Sequence, residues 1–103
     1  MEYIRNMYYG ETASENKLFS RWRLKHGKPP WDTYVLTLPQ YNGGLLEIRK
    51  LSLLKHKFYK RHPLTVVGVA YGYDEAVQLA ADIVREVYEK KGSFDIKGYL
   101  EER

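Results

Sequence analysis

Thr65-Val66-Val67-Gly68-Val69-Ala70-Tyr71, then Gly72, then Tyr73-Asp74-Glu75-Ala76 leading to Lys91-Gly92: the fold turns on this stretch. Residues 65–71 are apolar almost throughout and rich in valine. A short run of that sort suits a central strand covered on both faces. Gly72 breaks it. Asp74 is placed to cap a helix that runs to about Lys91 and closes at Gly92. Along that helix Ala76, Val77, Leu79, Ala80, Ala81, Ile83, Val84, Val87 and Tyr88 sweep roughly 200° of the circumference, where docking on one sheet needs a stripe of only ~100°. The surplus predicts a second contact, with an N-terminal helix or with another subunit. Glu86 and Lys90 are spaced as an i, i+4 pair on the wet side.

Working back toward the N-terminus, Leu51, Leu54 and Phe58 share one face of a predicted helix over about 50–61, with Lys50, Lys57, Lys60 and Arg61 on another. Pro63 stops it. Residues 33–38, TYVLTL, are rich in β-formers and end at Pro39. Tyr41-Asn42-Gly43-Gly44 is a turn signal, and Leu45-Leu46-Glu47-Ile48 reads as a short return strand of a hairpin. Thr12-Ala13-Ser14-Glu15 has the spacing of a capping box, opening a helix to about His26 before Gly27 and Pro29-Pro30. Leu18, Phe19 and Trp22 share its inner face, and Lys17, Arg21 and Lys25 run along its edge. Residues 1–11 contain strand-compatible Tyr3, Ile4, Met7, Tyr8 and Tyr9 without clean alternation, which fits a weak strand or an extended arm. At the other end, Asp95 caps a last short helix. Phe94 and Tyr99 are spaced as a hydrophobic staple, and Ile96, Tyr99 and Leu100 form its apolar patch.

These elements predict one domain over residues 1–103, of α/β (or α+β) class: a small two-layer sandwich of three to four strands packed with helices. If strands 33–38 and 65–71 pair in parallel, the crossover is right-handed. An all-antiparallel sheet is the alternative.

Composition narrows the chemistry. The chain has 103 residues and no cysteine, which excludes disulfides, thiolate metal sites and cysteine nucleophiles. No stretch has the length and apolarity of a signal peptide or a membrane span, and a cytoplasmic location is expected. Tyrosine is abundant, ten against three Phe, and suits both core edges and contact surfaces. Charge is uneven. Residues 1–63 carry twelve Lys/Arg against five Asp/Glu, whereas residues 64–103 carry five against eight. Such a split favours self-association or an acidic partner for the first half.

Candidate sites are few. Gly68 and Gly72 around the strand-to-helix turn raise the question of a phosphate site. There is no G-x-G-x-x-G or P-loop pattern, and the carboxylates of Asp74 and Glu75 would repel an anion there. His26, His56 and His62 make no H-x-x-x-H pair and read as solvated or capping residues. Ser14, Ser20, Ser52 and Ser93 lack an elbow or a base. Glu11, Glu15 and Glu47 are acid–base candidates only if the fold brings them together. No cofactor or metal is implied. The run Lys55 to His62, with Lys17, Arg21, Arg23 and Lys25, mixes cations with Tyr59 as a nucleic-acid surface does.

Val66-Val67-Gly68-Val69-Ala70, Asp74-Glu75-Ala76 and Gly92-Ser93-Phe94-Asp95-Ile96-Lys97 together resemble a group of small uncharacterised bacterial proteins, mostly Gram-positive, over most of residues 8–100. The resemblance implies an autonomous bacterial domain and brings no activity, ligand or site residue. Three functional readings follow. The first is a non-catalytic, self-associating module, a homodimer through Val77, Ala81, Val84 and Tyr88. The second is nucleic-acid binding through helices 12–26 and 50–61, using Lys17, Arg21, Lys25, Lys57, Tyr59, Lys60 and Arg61. The third is an enzyme with an unrecognised site.

Overall fold

The computed structural model describes residues 2–16, 20, 32–39, 45–52 and 64–102. Four strands form one sheet: β1 (Glu2–Tyr9), β2 (Thr33–Thr37), β3 (Glu47–Lys50) and β4 (Thr65–Tyr71). Their spatial order is β1-β4-β2-β3. Two α-helices follow β4 in the chain, α1 (Tyr73–Lys91) and α2 (Ile96–Glu102). This is the small α+β sandwich expected, with the valine-rich strand at its centre.

The sheet is mixed. β4 runs antiparallel to β2 and parallel to β1, and β2 and β3 form the predicted hairpin. Neither pairing considered from the sequence for 33–38 against 65–71 describes the whole sheet. That pair is antiparallel, and the parallel neighbour is the N-terminal segment. β1 is in register with β4 at Glu2 and Tyr3 and again at Tyr8 and Tyr9, with a shift of register between the two stretches. Arg5 and Asn6 between them are exposed.

Both faces of β4 are covered. Val66 and Val69 pack with Met7, Ala13, Val35, Leu51 and Leu64 on one side. Val67 and Ala70 pack with Leu36 and the inner face of α1 on the other. Strict alternation would place Val67 and Val69 on the same face. A bulge separates them: Leu36 lies opposite Gly68 and Thr37 opposite Val66, so Val67 is an extra residue on β4. Val67 and Gly68 consequently both face α1. A methyl group on Gly68 would come within 3.1 Å of Leu36 Cδ1, 3.2 Å of Leu79 Cδ2 and 3.2 Å of the Tyr8 carbonyl. Gly68 thus belongs to a bulge and a close helix approach, not to a phosphate loop.

Several local readings are corrected. The helix predicted from residue 12 begins, in its described part, as a 3-10 turn over Ala13–Asn16. The N-cap of α1 is Gly72, at φ 96°, with no side-chain cap bond, so Asp74 does not cap it. Gly92 closes α1 in the left-handed region and donates to the Tyr88 carbonyl at 2.8 Å, as expected. Asp95 does accept the Gly98 amide at 3.2 Å. The staple gives way to two other contacts, because Phe94 stacks on Tyr88 and the Tyr99 hydroxyl reaches Glu86. Lys50, expected to open the helix over 50–61, instead ends β3, and a 3-10 turn follows at residues 51–52. Apart from Ser20, the rest of helices 12–26 and 50–61 lies outside the described residues.

Candidate functional site

The inner face of α1 consists of Ala76, Leu79, Ile83 and Val87, all buried, with Ala80 and Val84 half-buried beside them. The α2 residues Ile96, Tyr99 and Leu100 join the same cluster, so α2 supplies part of the second contact that the wide apolar sweep demands. The sweep extends further than α2 covers. Tyr73 is 58% exposed, Val77 43% and Tyr88 52%, and Phe94, stacked on Tyr88 with centroids 5.0 Å apart, is 54% exposed. Ala81 is exposed as well. Only one other large hydrophobic among the described residues is comparably exposed, Leu45. Outward apolar side chains are therefore concentrated on one flank of one helix, which is the unusual arrangement rather than the scattered one.

Of the residues named for self-association, Val77, Ala81 and Tyr88 face outward, and Val84 sits between this strip and the core. Their spacing of four, three and four residues puts them on one line along the helix. Phe94 and Tyr73 extend the strip and were not singled out. The turn after Gly92 brings Phe94 back over Tyr88, and a periodicity that stops with the helix does not register such a return.

A cleft of about 530 Å³ opens at the N-terminal end of α1, lined by Tyr9, Gly10, Glu11, Asp74, Glu75, Gln78, Leu79 and Asp82. Two of its four carboxylates, Glu75 and Asp82, are engaged by neighbouring groups. Glu75 accepts the Thr12 amide at 2.7 Å through Oε1 and the Tyr71 amide at 2.7 Å through Oε2. Partial burial pushes the Glu75 carboxyl up, but bonds from the Tyr71 amide, the Thr12 hydroxyl and amide, and the Ala13 amide outweigh it and hold it below its ordinary 4.5. An acid held ionised, with its oxygens already engaged, is a poor proton donor. Asp82 is bonded to Gln78 at 2.9 Å and to Arg85 at 2.8 Å. The Thr12 amide that the expected capping box assigns to Glu15 goes to Glu75 instead. Of the two carboxylates expected to repel an anion at the helix start, Glu75 is the one bonded there, to the Thr12 and Tyr71 amides.

On α1, Glu86 is half-buried rather than on the wet side. It accepts the hydroxyls of Tyr8 and Tyr99, the latter at 2.9 Å, which ties β1 and α2 to the long helix. Glu47 pairs with Arg49 on β3, at the sheet edge opposite β1, so Glu11, Glu15 and Glu47 do not converge. The Ser14 hydroxyl donates to the Glu11 carbonyl, and that of Ser20 to the Ala13 carbonyl while accepting from Tyr71. Ser52 and Ser93 are exposed. Among the described residues no three His, Asp or Glu are grouped to hold a metal ion, and no helix is long and apolar enough to cross a membrane. His26, His56, His62 and the cationic residues Lys17, Arg21, Lys25, Lys57, Lys60 and Arg61, with Tyr59, lie outside the described residues.

Comparison with family models, with curated proteins and with solved structures finds no match to this chain.

Proposed function

We propose that this protein is a non-catalytic interaction module that self-associates through the outer flank of α1. The observation that carries this reading is the concentration of large outward side chains along one flank of α1, Tyr73, Val77 and Tyr88, with Phe94 stacked on Tyr88 from the turn that follows. About half of each side chain is available. Large aromatics bury ~150–250 Å² each, so these four offer on the order of 400 Å² per copy. That is below the ~800 Å² per partner of a standard stable interface. A dimer of this size is therefore weak and forms in the micromolar range or above.

Sedimentation velocity over a range of protein concentrations tests it. The wild type is expected to shift from monomer to dimer, and Ala81→Asp, with a charge at the centre of the strip, to stay monomeric. A wild type that is monomeric at the highest attainable concentration overturns the reading. The basic balance of residues 1–63 supports a second reading, nucleic-acid binding by that half. A mobility shift that weakens steeply with salt would favour it, and the absence of any shift at low salt would remove it.

A further inference from the structure

α2 lies against the rest of the domain as an amphipathic helix lies in a groove. Ile96 is 3% exposed, and Tyr99 and Leu100 are half-buried. All three join the apolar cluster that holds Ile83 and Val87 of α1 and Ile4 and Tyr8 of β1. Lys97, Glu101 and Glu102 face solvent. Anchors at i, i+3 and i+4 are the signature of a helix recognised by its apolar face.

Two polar groups of α1 complete the groove. Glu86 accepts the Tyr99 hydroxyl at 2.9 Å, beside the second anchor, while also accepting that of Tyr8. Lys91, the last residue of α1, donates to both oxygens of Glu102 at 2.8 Å. The groove therefore reads a hydroxyl in the middle of its occupant and a carboxylate at the end.

The occupant is weakly built. α2 has seven residues, where an isolated helix needs ~12–15 to be even marginal in water. Gly98 weakens it further. That glycine is required, because its amide donates to Asp95 at 3.2 Å and a methyl group there would overlap the Asp95 carboxylate. Helix and docking thus form together and are lost together. The ion pair holds the end loosely, since the Glu102 side chain is 66% exposed and its charge is screened. Residues 92–95, the connection to α1, are all exposed. Short elements with few buried side chains open first, while the sheet and α1 keep their own core.

We propose that α2 is a detachable strap, a built-in stand-in for a partner helix with apolar residues at i, i+3 and i+4, a hydroxyl at i+3 and an acid at i+6. The short connection holds α2 at an effective concentration on the order of millimolar, so α2 prevails over a short free helix. A longer helix forms more readily and displaces it. The strap acts within one chain and goes beyond the self-association reading, on which it does not depend.

The test uses a synthetic peptide of residues 93–102 and full-length chains in which the strap is undocked by Ile96→Asp or, separately, Leu100→Asp. Amide exchange in β4 checks that each variant keeps its fold, and amide chemical shifts report binding. The peptide is expected to bind either variant at least about tenfold more tightly than the wild type, because apparent affinity scales with the fraction of chains whose groove is open. Shifts should fall on the last turns of α1 and on Tyr8. Equal binding to wild type and variants would place the peptide elsewhere and overturn the proposal. So would a folded variant that takes up no peptide at concentrations on the order of millimolar. Loss of β4 protection in both variants would make α2 an integral part of the core, and the strap would be overturned on that result as well.

Discussion

The backbone amide of Thr12 donates to Glu75 Oε1 at 2.7 Å, joining the loop after β1 to the first turn of α1. The other carboxylate oxygen takes the Tyr71 amide at the end of β4. One side chain thus closes the ends of two parallel neighbouring strands and the start of the helix. Glu75→Ala leaves those amides without their acceptor. The expected cost is about 1–2 kcal/mol, toward the lower end because solvent screens the open side of the group. The urea midpoint of the variant measures it. Asp74→Ala, one residue earlier and without a cap bond, is expected to move the midpoint far less.

Acid should release the same latch. The Glu75 carboxyl is held below its ordinary 4.5 by the amides of Tyr71, Thr12 and Ala13 and the Thr12 hydroxyl, against the opposing effect of burial. A carboxyl with lowered folded-state proton affinity contributes stability that is full above its unfolded value. The contribution is lost as pH falls through the folded value. The stability gap between wild type and Glu75→Gln is therefore expected to be constant at neutral pH and to shrink as pH falls below 4.5. A gap that widens on acidification contradicts the assignment.

Gly10 is buried beneath the same carboxylate, and a methyl group there would overlap it. The Gly10 amide meanwhile donates to the Val69 carbonyl at 2.9 Å, so the backbone has little freedom to withdraw. Gly10→Ala is expected to destabilise by about 1–3 kcal/mol by displacing Glu75. In a Glu75→Ala background most of that cost should vanish. A double-mutant cycle in urea tests the coupling, and additive effects would mean that Gly10 matters for another reason.

The elements whose identity depends on neighbours in sequence were readable from it. β4, α1, its Gly92 terminus and the β2–β3 hairpin all follow from periodicity and turn residues, with β3 two residues later than expected. What escaped depends on distant partners. β1 lacks a clean apolar rhythm because its register against β4 shifts between Tyr3 and Tyr8, and polar Arg5 and Asn6 stand exposed at that shift. Asp74 looked like the cap because nothing local reveals that Thr12 will stand beside Glu75. The direction of a strand pair is likewise absent from the pattern of either strand. The outer strip of α1 was legible as an excess of apolar residues. Which members of that excess are outward was settled only by α2 packing over part of it.

The Tyr99 hydroxyl donates to Glu86 at 2.9 Å and shares that carboxylate with Tyr8. Since α2 is only two turns long, a hydrogen bond at its centre should govern its docking. Tyr99→Phe keeps the ring in the core and is expected to cost about 1 kcal/mol. The loss should be local: amide exchange in residues 96–102 should accelerate while β4 amides keep their protection. Uniform acceleration would show that α2 opens only with the whole domain.

Weak association through α1 has a signature in stability. A ligand that binds only the folded state raises the melting temperature little below its dissociation constant and logarithmically with concentration above it, and here the ligand is the protein itself. The wild-type midpoint is expected to be flat at concentrations well below micromolar and to climb above that range. Ala81→Asp should match the low-concentration wild type within about 0.5 kcal/mol, because an exposed alanine contributes little to the monomer. It should stay flat at every concentration. A variant that is destabilised equally at all concentrations would mean that position 81 supports the monomer and not the pairing. Parallel climbing of both proteins would place the contact on a different surface.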